Sequence, residues 1–104
     1  MTKELLKEFE AAMHDIYKRA KQEADYNPTA FLNMLYDKGA LDTADTLVNT
    51  KRPSSGYTAL WELGRLDLTV EALIHDNPKY HALFDAQTLA NAEKRLRAYG
   101  YKGV

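Results

Sequence analysis

Tyr57-Thr-Ala-Leu-Trp-Glu-Leu-Gly-Arg-Leu-Asp-Leu-Thr-Val-Glu71 decides how the rest of the chain is read. It holds the only tryptophan, Trp61, and four leucines. Its charges, Glu62, Arg65, Asp67 and Glu71, stand close together around Gly64. The leucine spacing is helical, and Gly64 followed by a capping residue predicts two helices with a break between them. The first enters from the polar loop Thr50-Lys-Arg-Pro-Ser-Ser-Gly56, capped by Ser54 or Ser55, and runs to about Leu63. The second starts at a cap supplied by Asp67 or Thr69 and lasts to about His75. One bent helix over Tyr57–His75 is the alternative.

Upstream, Leu5, Phe9, Ala12, Met13, Ile16, Ala20 and Ala24 recur at three- and four-residue steps. That period predicts one long amphipathic helix from Thr2, its cap, to Asp25, with an Asp15–Arg19 pair on its polar side. Asn27-Pro28 restarts the chain, with Asn27 as cap and Pro28 in the first turn. The helix that follows carries Phe31, Leu32, Leu35 and Tyr36 and ends at a left-handed Gly39. A third helix, about Ala40 to Asn49, puts Leu41, Ala44, Leu47 and Val48 on one side. Downstream, Asn77-Pro78 repeats the restart and leads into a short turn through Phe84. Asp85 caps the last helix, with Phe84 and Leu89 at hydrophobic-staple spacing. That helix reaches about Tyr99 and Gly100 ends it, leaving a tail from Tyr101 to Val104. No stretch alternates as a half-buried strand does. The fold class predicted is all-α: a compact single-domain bundle of five to six helices with a long N-terminal helix, spanning residues 1–104.

Composition bounds the function. The chain has 104 residues, 45% hydrophobic and 28% charged, values ordinary for one folded unit. A net charge of -1 fits neither a protein that grips nucleic acid through its overall charge nor an acidic nucleic-acid mimic. With no cysteine, disulfides, thiol catalysis and thiolate metal sites are excluded. Acids interrupt the apolar residues at the N-terminus, so no signal peptide is expected. No run approaches the roughly 20 apolar residues of a membrane span. The expectation is a cytoplasmic protein that does not engage the membrane.

Four features could carry chemistry. Glu62, Arg65, Asp67 and Glu71 could do acid–base work or hold a cation. Alternatively they form a structural junction with Trp61 and Gly64, in which Asp67 caps, Arg65 pairs with Glu62 or Glu71, and Trp61 and the leucines fill the core. The junction is the reading adopted, with no catalytic residue, metal or cofactor assigned. On it, Trp61→Ala is expected to unfold the protein and Arg97→Ala to leave it folded. His14, His75 and His81 lack metal-site spacing, and Ser54 and Ser55 lack a nucleophile's strand-turn-helix setting. Lys51, Arg52, Lys94, Arg95, Arg97, Tyr99, Tyr101 and Lys102 form a candidate interaction surface of bases and aromatics. Such a surface suits phosphates and stacked bases, though the helix dipole also favours cations at a helix C-terminus. Finally, seven tyrosines and one tryptophan are residue types enriched at protein interfaces.

Several pieces of the chain resemble small bacterial proteins, chromosomal or carried on mobile elements, that have no assigned activity. These are Tyr26-Asn-Pro-Thr29 with Phe31, Met34 and Leu35; Tyr57 with Leu60-Trp-Glu62; and Leu83-Phe84 and Arg95-Leu96 with Tyr99-Gly-Tyr101. The run Gly64-Arg-Leu-Asp-Leu-Thr-Val-Glu71 is the most specific. The resemblance implies a complete small unit and is compatible with a role in defence or counter-defence. It transfers no catalytic residue. The function expected is macromolecular binding, with a protein as partner and without enzymatic activity. The alternative is a nucleic-acid-binding module using the C-terminal basic and aromatic face.

Overall fold

The computed structural model describes residues 3–102, so the expected cap at Thr2 and the end of the tail lie outside the described residues. The chain folds as an all-helical globule of 35 × 26 × 22 Å. Its α-helices are α1 (Lys3–Glu23), α2 (Thr29–Lys38), α3 (Ala40–Val48), α4 (Ser55–Glu62), α5 (Val70–Asp76) and α6 (Ala86–Ala98). Two 3₁₀ helices, Leu66–Leu68 and Pro78–Leu83, flank α5. The expected count of five to six helices therefore falls short, because a separate 3₁₀ turn stands between α4 and α5 where only a break was read.

α5 is the shortest α-helix and the centre of the fold. Val70, Glu71, Ala72 and Ile74 are all buried, because α1, α3, α6 and both 3₁₀ helices pack around it. The periodic face of α1 meets it: Phe9, Met13, Ile16 and Ala20 are buried. Phe9 sets its ring edge-on to Tyr80 at 5.2 Å and to Phe84 at 5.4 Å. Such pairs add about 0.5–1.5 kcal/mol beyond the area they bury. Leu35, Ala40, Ala44, Val48, Leu83 and Ala92 complete this core cluster.

Local chemistry sets the ends. Ser54 accepts from Tyr57 N, Thr69 from Ala72 N and Asp85 from Thr88 N, each relieving an unpaired donor of a first turn. Thr69 is thus the cap of α5, and Asp67 lies inside the 3₁₀ turn. Gly64, at φ 73°, closes α4: Gly64 N donates to Trp61 O and Arg65 N to Leu60 O. Gly100 closes α6 with the same bond pair, Gly100 N to Arg97 O and Tyr101 N to Leu96 O. This paired closure needs a left-handed residue, which glycine supplies without a Cβ penalty. Gly39 ends α2 with positive φ, but its ψ of 167° is extended rather than left-handed helical, and α3 begins at the next residue. The two asparagines do not cap as expected. Asn27 Oδ1 accepts from the Tyr17 hydroxyl, leaving α2 without a side-chain cap. Asn77 Nδ2 donates back to Leu73 O at the end of α5. Arg19 pairs with Glu23 at 2.8 Å, so the expected pairing with Asp15 is replaced by one a turn later.

Thr43 is fully buried in α3, and its hydroxyl has no hydrogen-bond partner among the described residues. Replacing it with the isosteric, apolar valine removes an unmet desolvation cost. Thr43→Val is expected to raise the unfolding free energy by about 1 kcal/mol in urea titration.

Candidate functional site

The charges of Tyr57–Glu71 separate into two structures. Arg65 leaves the Gly64 closure pointing at the 3₁₀ turn, where Nε and Nη2 donate to Asp67 Oδ1 and Oδ2, both at 3.0 Å. Nη2 also reaches Glu23 Oε1 at 2.8 Å. Arg19 pairs with Glu23 and lies 3.8 Å from Asp67, which closes a half-exposed ring of two arginines and two acids. The ring fastens the C-terminal end of α1 to the 3₁₀ turn. The partners expected for Arg65, Glu62 and Glu71, are not in it. Glu62 is exposed at the end of α4.

Hydrogen bonds from Arg19 and Arg65 hold the Glu23 carboxyl down at about 2, against an ordinary 4.5. Arg65 likewise lowers Asp67. Carboxyls depressed in the folded state stabilise it above their ordinary values, and that stability is lost as pH falls toward the folded ones. Arg65→Ala should therefore melt below wild type at neutral pH. The gap in melting temperature should close as pH falls from 4.5 toward about 2. A gap independent of pH would mean that Arg65 acts through packing alone.

Glu71 belongs to the second structure. Its side chain is 4% exposed and pairs with Arg95 of α6, 10% exposed, at 2.9 Å. Arg95 Nη1 also donates to Leu47 O, and Nη2 to Thr50 O. The guanidinium lies 5.9 Å from the centre of the Tyr57 ring, whose hydroxyl donates to Arg95 O. Burial pushes the Glu71 carboxyl above its ordinary value, with Arg95 opposing. Burial also pushes the Tyr57 phenol up. Arg95, expected on the interaction surface, is instead an internal tie joining α5, α6 and the end of α3.

The surface itself is built from aromatics. Tyr57 is buried, Tyr99 packs edge-on to it at 5.1 Å, and Trp61 packs edge-on to Tyr99 at 5.2 Å. Trp61 is 45% exposed and Leu63 51% exposed. Trp61 was expected to fill the core. Instead, α4 buries only Tyr57 and Leu60, and Trp61 stands at the surface. Beside Tyr99 runs a shallow groove of about 420 Å³, lined by Lys51, Pro53, Asn91, Lys94 and Arg95 among others. Lys51 and Lys94 are exposed.

Of the eight residues read as one surface, the groove brings together Lys51, Lys94 and Tyr99, with Arg95 behind them. Arg97 pairs with Glu93 at 3.0 Å and does not line the groove. The Tyr101 hydroxyl donates to Asp76, tying the C-terminal segment to the end of α5. Burial, followed by that bond to Asp76, pushes the Tyr101 phenol up. Arg52 and Lys102 are exposed outside the groove lining. Leu63 was missed because a leucine in a helical pattern reads as core. The signal against that reading was its place in the closing turn at Gly64.

The histidines are dispersed. His14 lies beside the Tyr36 ring, and His81 Nε2 donates to Ile74 O at 3.0 Å. Among the described residues no group of three or more His, Asp or Glu side chains could hold a metal ion. No described helix is long and apolar enough to cross a membrane. Fold and surface define an all-α protein with an exposed tryptophan packed on a half-buried tyrosine beside a cationic groove. Compared with known proteins, the chain matches no protein-family model, no curated protein and no solved structure.

Proposed function

We propose that the protein works by binding another protein through the surface made by Trp61, Tyr99, Lys51 and Lys94. The observation that carries this reading is Trp61: half-exposed, yet fixed by its edge-on contact with Tyr99, which is fixed in turn by buried Tyr57. An aromatic held in place before binding loses little conformational freedom on binding, and tryptophan and tyrosine are the commonest energetic anchors of interfaces. The two lysines favour a partner whose apolar socket has an acidic rim. The proteins that the Gly64–Glu71 run resembles are chromosomal or carried on mobile elements; for a chain carried on a mobile element, that partner would belong to a host or phage nucleoprotein machine.

The test is affinity capture of nuclease-treated native-host lysate on immobilised protein. A specific protein should be retained by wild type and by Arg97→Ala, lost with Trp61→Ala, and reduced with Lys51→Glu/Lys94→Glu. Capture unchanged by those two variants overturns the assignment. So does binding to purified DNA or RNA that falls steeply with salt.

A further inference from the structure

A second cavity lies apart from this surface and shares no lining residue with the groove. It is a cleft of about 430 Å³ between α1, the Tyr26–Pro28 segment, the start of α2, α4 and α5. Ile16, Leu60, Leu68 and Val70 supply apolar walls, and Phe31 and Met34 line it from α2. Volume and lining match small-molecule sites, which run about 300–1,000 Å³ and are mostly apolar with a few placed polar groups.

We propose that this cleft binds an uncharged, largely apolar small molecule with one hydrogen-bonding end. The charge inventory selects the class. No lysine or arginine lines the cleft, so no side chain there neutralises an anion. Its one charged lining residue, Glu71, is already matched by Arg95. A bound charge would lose hydration without gaining a partner. The polar end is set by Tyr26. Its hydroxyl lies beside Gly56, 3.7 Å from where a Cβ would stand, and has no hydrogen-bond partner among the described residues. The cleft's two other tyrosines are committed: Tyr57 donates its hydroxyl to Arg95 O, and Tyr17 donates to Asn27 Oδ1 and so fastens the segment that carries Tyr26. The lip is thus held in place, and of the three tyrosine hydroxyls that of Tyr26 is left to the cleft, with the Ser55 and Thr29 hydroxyls lining the same end. Thr29 and Ala30 are exposed, so the cleft opens to solvent at the start of α2.

The experiment uses two probes with one skeleton, neutral N-phenyl-1-naphthylamine and its anionic relative 8-anilinonaphthalene-1-sulfonate. Fluorescence titration should show saturable one-to-one binding of the neutral probe, and the sulfonate should bind at least ~10-fold more weakly. Ala30→Trp puts bulk at the open side without touching the core, and should weaken the neutral probe about tenfold with an unchanged melting temperature. In wild type, backbone amide shifts on adding the neutral probe should centre on Ala30, Gly56 and Val70, a readout that does not depend on the variant folding. Non-saturable binding, equal affinity for the sulfonate, or shifts centred on Trp61 and Tyr99 would each overturn the assignment. Loss of the protein partner by Trp61→Ala leaves it untouched, since no residue is shared.

Discussion

Arg95→Ala lowers the unfolding free energy by about 3–5 kcal/mol, the cost of leaving a buried charge without its partner. A chain of this kind is stable by roughly 5–15 kcal/mol, so the loss is a large share of the whole. Glu71 has little access to water: its side chain is 4% exposed, at the inner wall of the cleft, and it sits on α5, against which α1, α3, α6 and both 3₁₀ helices pack. Arg95 also supplies donors to Leu47 O and Thr50 O, which lose those donors when it is truncated. The sign of the pH dependence separates this account from simple loss of packing. Burial already raises the Glu71 carboxyl against the pull of Arg95. Without Arg95, burial acts unopposed and the folded-state value rises further above the ordinary 4.5. For a carboxyl raised in the folded state, that state holds the proton more tightly than the unfolded chain. Stability is then lost as pH rises from the ordinary value through the folded one, and recovered as pH falls. Arg95→Ala should therefore be more stable near pH 5 than near pH 8. Glu71→Leu combined with Arg95→Leu should recover much of the loss, because a buried ion pair is often replaceable by apolar groups of similar size. A single-variant loss below about 1 kcal/mol, or one that does not respond to pH, means that Glu71 reaches solvent when Arg95 is gone.

The ease of reading each element followed the range of the interaction behind it. The α1 face, the Asp85 cap and the stop at Gly64 depend on residues within about one helical turn, which is where periodicity and capping rules apply. Arg65 shows where those rules stop. A helical-neighbour argument offers it Glu62 or Glu71, but Gly64 breaks the helix and turns Arg65 away from both. Its second acid, Glu23, is 42 positions upstream. Glu71 and Arg95 are 24 apart, and no local pattern joins them. Two cations of one helix, Arg95 and Arg97, look interchangeable in sequence. The turn of α6 sends one into the core and leaves the other beside Glu93. Asn27 and Asn77 precede prolines, as caps often do, yet each side chain finds a partner behind it in the chain. The candidate surface was legible in its residue types and not in its membership, because membership depends on which face of α6 the core takes.

Trp61→Ala is the variant that decides whether the central stretch is an interface, and it should leave the protein folded. Trp61 is 45% exposed, and its ring packs edge-on against Tyr99. Removing that pair costs about 0.5–1.5 kcal/mol, well below the roughly 3–5 kcal/mol of truncating a buried aromatic. Binding should suffer far more. An anchor of this type contributes about 2–4 kcal/mol at the centre of an interface, which is roughly 30- to 1,000-fold in affinity. Tyr99→Ala makes the contrast. Tyr99 contacts both Tyr57 and Trp61, so its removal uncovers the core and frees the anchor together. It should lower stability and affinity alike, whereas Trp61→Ala should lower affinity nearly alone. Lys51→Glu/Lys94→Glu should slow association and weaken its salt dependence, because exposed charges steer encounter more than they hold the complex. A melting temperature that collapses in Trp61→Ala while the partner is retained would return this tryptophan to the packing of α4 on α6 and move the interface elsewhere.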